Sequence, residues 1–286
     1  MRSTFILATE ALASGELTRR DLRRRYAKVH RNVYIRKGTE LTARDRARAA
    51  WLWSGERATL TGHSAAAVLG ARWIPHGAPV ELAHSRRPAA RGIIARSYAL
   101  ADDERCVVGG MRCTTPARTA YDLGRQFDGQ MGVIRIDDLL KATGCTVDDV
   151  QEIAARYPGA RGIRRLRRTL DLVDPGAESP QETRLRLLLV RAGLPRPVTQ
   201  IPVTGEGGRV VRRIDMGWPD AMVGVEYDGE QHFTGPADYA KDIERLEFLA
   251  DRGWLIVRVS AVQLRYRQAE VVRRARTALA RRAHGC

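Results

Sequence analysis

Cysteine is scarce in this chain, with four residues among 286: Cys106, Cys113, Cys145 and Cys286. Their spacing fits neither a zinc ribbon nor a disulfide-stapled secreted scaffold, and reduced thiols in a cytoplasmic protein are expected. Long apolar runs are also missing. No stretch approaches the ~20 residues of a membrane span, and the apolar part of Met1-Arg2-Ser3-Thr4-Phe5-Ile6-Leu7-Ala8 is too short for a signal peptide. Aromatics make up only 6% of the chain and form no stripe, which argues against a stacking platform for single-stranded nucleic acid. Lysine occurs only at Lys28, Lys37, Lys141 and Lys241.

Arginine is abundant. Forty-nine basic against 33 acidic residues give a formal charge of +16. Genomic base composition accounts for arginine over lysine, but not for the excess of positive over negative. A field of that sign concentrates polyanions and gains from counterion release, so DNA is the expected partner. A hydrophobic fraction of 44% is enough to bury a sizeable core, and the length suits more than one domain.

Three regions are expected: 1–60, 61–175 and 176–286. The clearest boundary is Asp174-Pro175-Gly176-Ala177-Glu178-Ser179-Pro180, a cluster of breakers between two helical patterns. In the first region Thr18 and Asp21 have the spacing of a capping box. The helix they start carries Arg19, Arg20, Arg23, Arg24 and Arg25. Two β-prone runs follow, from Lys28 to Arg36, around a turn at Arg31-Asn32. A basic helix beside a basic hairpin is what a winged helix presents to DNA, and Arg19, Arg20, Arg23, Arg24, Lys28 and Arg31 are its candidate contacts. The middle region reads as a mixed α/β scaffold without a catalytic constellation. The segment up to Arg36, with Cys113-Thr114-Thr115-Pro116-Ala117-Arg118-Thr119-Ala120-Tyr121-Asp122-Leu123, resembles AbiEi-type antitoxins, Asn32 replacing a usual glycine. That resemblance implies DNA binding and a toxin-like partner.

The last region concentrates the chemistry. Arg209–Gly217 and Met222–Asp228 read as strands joined at Trp218-Pro219-Asp220-Ala221. A two-residue turn at Pro219-Asp220 would set Asp215 opposite Gly224 and diagonal to Glu226. Period-two alternation then gathers Asp215, Glu226 and Asp228 on one face. Like charges so placed repel, and a divalent ion offsets the repulsion; Mg²⁺ is expected, with Mn²⁺ as a substitute. The competing reading is pairing with Arg212, Arg213 or Arg258. Glu182 reads either as a capping-box acceptor or as a catalytic carboxylate, and His232 as a donor to phosphate.

The region is expected in the order α-β-β-β-α-β-α, making the fold class α/β. Ser179-Pro180-Gln181-Glu182, Asp215, Glu226-Tyr227-Asp228-Gly229-Glu230-Gln231-His232, Asp242 with Arg245, and Gly253-Trp254 before Val257-Arg258-Val259 resemble the PD-(D/E)XK nucleases, in their very-short-patch-repair-like branch. The resemblance implies an endonuclease in which Asp215 and Glu226 bind metal, Glu182 assists and His232 acts on phosphate or water. Asp228 takes the place of the superfamily's lysine, and Arg245 and Arg258 are expected to steady the site or the DNA backbone. The alternative is a non-catalytic, antitoxin-like DNA-binding regulator on a degenerate nuclease fold.

Overall fold

The computed structural model describes residues 5–84, 90–97, 99–229 and 236–283, with 236–239 described by backbone alone. Two compact units divide the chain: Met1–Asp128 with Asp138–Asp171, and Gly129–Asp137 with Leu172–Cys286. The class is mixed α/β, with three sheets among the described residues.

The first unit begins with β1 (Phe5–Leu7), α1 (Ala8–Ala13), α2 (Arg19–Arg25), β2 (Tyr26–His30) and β3 (Val33–Arg36), the strands forming an antiparallel sheet ordered β1-β3-β2. Helix α2 starts where the Thr18 hydroxyl accepts the Asp21 N–H at 3.1 Å and Asp21 accepts the Thr18 N–H at 3.2 Å. It buries only Leu22. The β2–β3 turn needs left-handed backbone, and Asn32 supplies it at φ 70°. Asparagine adds what glycine could not: its Oδ1 accepts the Thr9 N–H at 2.8 Å, holding the start of α1, whose N-cap Leu7 has no acceptor.

The unit continues with α3 (Ala43–Trp53), β4 (Thr59–Leu60), α4 (Gly62–Val68), β5 (Val80–Ala83), β6 (Ile93–Arg96), β7 (Arg105–Val108), β8 (Met111–Thr114), α5 (Pro116–Gln126), α6 (Gly129–Thr143), α7 (Val147–Arg156) and α8 (Ile163–Leu170). The first part of α6, residues 129–137, belongs to the second unit. The sheet runs β6-β5-β4-β8-β7, and Leu60, Leu82, Met111 and Cys113 meet Ala47, Ala50 and Trp51 of α3 in its core. A polar knot lies beside it. Arg118 is buried, with Nη1 2.5 Å from Glu104 and Nε 3.0 Å from Asp122, and the Tyr157 hydroxyl donates to Glu104 at 2.8 Å.

The second unit contains α9 (Pro180–Arg191), β9 (Val198–Thr204), β10 (Val210–Trp218), β11 (Val223–Asp228), α10 (Pro236–Asp251), β12 (Leu255–Ser260), α11 (Ala261–Tyr266) and α12 (Gln268–Ala283). Its sheet is ordered β12-β11-β10-β9, with β11 and β12 parallel and the other pairs antiparallel. One apolar cluster joins Met216, Val225 and Val257 to Leu185 of α9 and Val271 of α12; another joins Ile201, Val203 and Ile214 to Leu249 of α10. Helix α11 interrupts the expected order because Ser260 and Gln263 form a capping box.

The β10–β11 register differs from expectation by two residues. Gly217 faces Gly224 and Trp218 faces Val223, because the connection is a four-residue turn in which Met222 adopts φ 50°. An even shift preserves the side-chain faces of β11. A Cβ at Gly217 would lie 2.2 Å from the Val223 carbonyl oxygen, so Gly217→Ala is expected to cost about 1–3 kcal/mol in urea unfolding; an unchanged midpoint would disprove this close approach.

Candidate functional site

Two groups of residues have chemical potential, one in each unit. In the first, Arg19, Arg20, Arg23, Arg24, Lys28 and Arg31 are all exposed, on α2 and the β2–β3 hairpin. Only Leu22 anchors α2, so its arginines face solvent, and Lys37 Nζ donates to the Arg23 carbonyl at 2.8 Å. Such a surface suits phosphate contact, which needs mobile cations and no buried pocket.

In the second unit, Glu182 and Glu226 both come close enough to Asp215 to act on its carboxyl electrostatically. The strands are irregular near Asp215. Ile214 joins the cluster under α10 while Met216, two residues on, joins the cluster with α9 and α12. Gln200, at the position on β9 that the register sets across from Asp215, takes φ 52°. Irregularities of this kind re-aim side chains beside functional sites. Asp215 Oδ2 accepts the Tyr227 N–H at 2.8 Å. Burial pushes the Asp215 carboxyl up to about 7; the Tyr227 N–H opposes the rise, and the charges of Glu182 and Glu226 reinforce it.

Glu226 is 3% exposed, and burial raises its carboxyl as well, against the lowering effect of Arg245. One oxygen pairs with Arg245 of α10; Oε2 is buried with no hydrogen-bond partner among the described residues. A buried orphan carboxylate oxygen is rare and marks a place where something is unsatisfied. Glu182 is fully engaged: Oε2 accepts the Glu178 N–H at 2.7 Å and Oε1 the Ser179 hydroxyl at 2.9 Å. The expected capping box is thus displaced by one residue, from the Ser179 to the Glu178 amide.

Asp228 does not join this group. Arg258 holds it at 2.5 Å and Asp242 at 2.7 Å, so the ion-pair reading applies to Asp228 with Arg258 as its partner. Arg245 and Arg258 are each paired with carboxylates, and their side chains remain 28% and 29% exposed. His232, Glu230 and Gln231 lie outside the described residues. Arg245 and Arg258 place positive charge beside Glu226 and Asp228.

A divalent ion fits this centre in donor chemistry, since two carboxylates, one with an orphaned oxygen, are the ligand type Mg²⁺ prefers. The fit is partial. Arg245 occupies the other oxygen of Glu226, and among the described residues no set of three or more His, Cys, Asp or Glu side chains is grouped as a metal ion would require.

Residues 47–172 match the family model of the AbiEi antitoxin C-terminal domain. The match lies almost entirely in the first unit, downstream of β3. Two uncharacterized proteins of Mycobacterium tuberculosis, from strains CDC 1551 and H37Rv, are each 35% identical over 150 residues, 52% of this chain. The chain spans about half the length of these curated relatives, 55% of each. No described helix is long and apolar enough to cross a membrane.

Sequence reasoning missed the irregularity at Asp215 and the commitment of Arg245 to Glu226. Neither has a local signal, because both depend on where α10 and β9 pack. It also missed Arg186, which is fully buried and pairs with Asp137 at 2.8 Å.

Proposed function

We propose that this protein is an antitoxin-type DNA-binding regulator that grips duplex DNA through α2 and the β2–β3 hairpin. The observation that carries the reading is the exposed arginine set on a winged-helix-like β-α-α-β-β start, immediately upstream of a segment that matches an antitoxin domain. Antitoxins of this type imply a toxin partner, and the first unit is the part of the chain that would meet it. In a footprinting experiment with EDTA present, the full chain should protect the DNA upstream of its own coding sequence, and Asp215→Asn should protect it equally. Protection no stronger than on random DNA would refute the reading.

A second reading rests on the carboxylate centre: metal-dependent hydrolysis of DNA phosphodiesters by the second unit. Its support is the orphaned Glu226 Oε2 beside an Asp215 held partly protonated near neutral pH. Asp215 and Glu226 would hold Mg²⁺, which supplies Lewis acidity and a more acidic bound water. Arg245 would balance charge as phosphate approaches. Plasmid nicking in Mg²⁺ by the wild type, lost in Asp215→Asn, is the expected result. No nicking, or equal nicking by both proteins, would leave the regulator reading alone.

A further inference from the structure

Within the first unit, Arg96, Arg125, Arg161 and Arg165 surround, with Gln126, a cavity of about 370 Å³. Asp122 and Gly162 complete its wall. Arg125 and Arg165 are positioned by hydrogen bonds to neutral acceptors. Arg125 donates to the Tyr121 hydroxyl at 3.0 Å and lies over its ring at 4.6 Å. Arg165, in the first turn of α8, donates to the carbonyls of Arg125 and Gln126 at 3.0 and 3.1 Å. Arg96 reaches Gln126 Oε1 at 3.2 Å, and Arg161 is exposed.

The acids nearby are weak counterweights except at Arg96, which Glu81 holds at 2.6 Å. Asp122 is bonded to Arg118 at 3.0 Å and stands 3.9 Å from Arg125, and Asp128 reaches Arg165 only at 3.8 Å. The Nε–H groups of Arg125 and Arg165 are buried without a hydrogen-bond partner among the described residues. An oxyanion is the chemistry that the planar guanidinium forks lining the cavity recognise. Gly162 allows the wall to close, since a Cβ there would lie 2.6 Å from the Arg125 carbonyl oxygen.

We propose that this arginine-lined cavity is a binding site for the phosphoryl groups of a small polyphosphate or nucleotide. Its volume is that of a small-ligand pocket. A duplex backbone, in contrast, needs a track of cations along a surface. The site shares no residue with the basic helix or with the carboxylate centre, and the regulator reading does not depend on it.

The test is calorimetric titration of the full chain with inorganic pyrophosphate and, separately, with ATP. One saturable site is expected, weakened about tenfold by Arg161→Ala, an exposed position whose loss should leave the thermal melt unchanged. Gly162→Ala should weaken it too, by pushing α8 from Arg125. ATP binding far tighter than pyrophosphate assigns a nucleotide, while equal affinities assign the phosphate groups alone; either supports the site. No saturable binding of either ligand up to about 10 mM would overturn it, as would affinity unchanged by both substitutions, or duplex DNA binding that Arg161→Ala weakens while neither phosphate ligand binds.

Discussion

Asp215→Asn should make the protein more stable at pH 8, by about 1–3 kcal/mol, while leaving it near wild-type stability at pH 4. The sign follows from proton linkage. The Asp215 carboxyl titrates at about 7 in the folded chain against an ordinary 3.8, so the folded state binds the proton more tightly. Stability therefore falls as pH rises from about 4 to about 7, and the full penalty is present above that window. Three units would correspond to ~4 kcal/mol, and partial solvent access reduces it. Asparagine removes the charge but keeps an oxygen for the Tyr227 N–H. Asp137, raised to about 6 by burial, destabilises in the same direction and stays in the variant, so some pH dependence should persist. Urea unfolding of both proteins across pH 4–8 measures the difference. A variant weaker than wild type at pH 8 would make Asp215 a structural residue. Mg²⁺ should restore stability at pH 8 in the wild type and not in the variant if the carboxylates serve as ligands.

Arg118→Ala should destabilise the first unit by about 3–5 kcal/mol, enough to unfold a marginal domain. Arg118 joins the fully buried Glu104 to Asp122 and lies over the rings of Tyr121 and Tyr157 at 5.3 and 5.4 Å. Its removal leaves Glu104 in the core with the Tyr157 hydroxyl and the Ala101 N–H as its remaining partners. Lysine would not substitute well, since one ammonium cannot reproduce the fork that meets two carboxylates. The loss should appear as earlier unfolding of the first unit by hydrogen exchange, with the sheet of the second unit protected as before. Loss of protection only in the second unit would contradict it.

Local chemistry was legible and long-range pairing was not. Thr18 with Asp21 at α2, Asn32 at the hairpin and Ser179 with Pro180 at α9 were readable because each bond spans a few residues of chain. The strands carrying Asp215 and Glu226 were readable from alternation. Their register was not, because it depended on Met222 adopting a left-handed conformation that non-glycine residues seldom visit. The fate of Asp228 was one of the stated alternatives, and β12 beside β11 decided it by bringing Arg258 level with Glu226. Glu226 itself had two candidate fates, an arginine or a cation. It has the arginine on one oxygen and no hydrogen-bond partner among the described residues on the other, which is why the regulator and hydrolase readings make separate predictions.

The most direct measurement is the salt dependence of binding to the protein's own upstream DNA, in EDTA, for the full chain and for a variant with Arg19, Arg20, Arg23 and Arg24 changed to alanine. If α2 lies on the phosphates, the slope of log affinity against log salt should fall by about 3–4, with about a hundredfold loss near 150 mM salt. A variant with the same slope and affinity as the wild type would show that DNA, if bound, is held elsewhere.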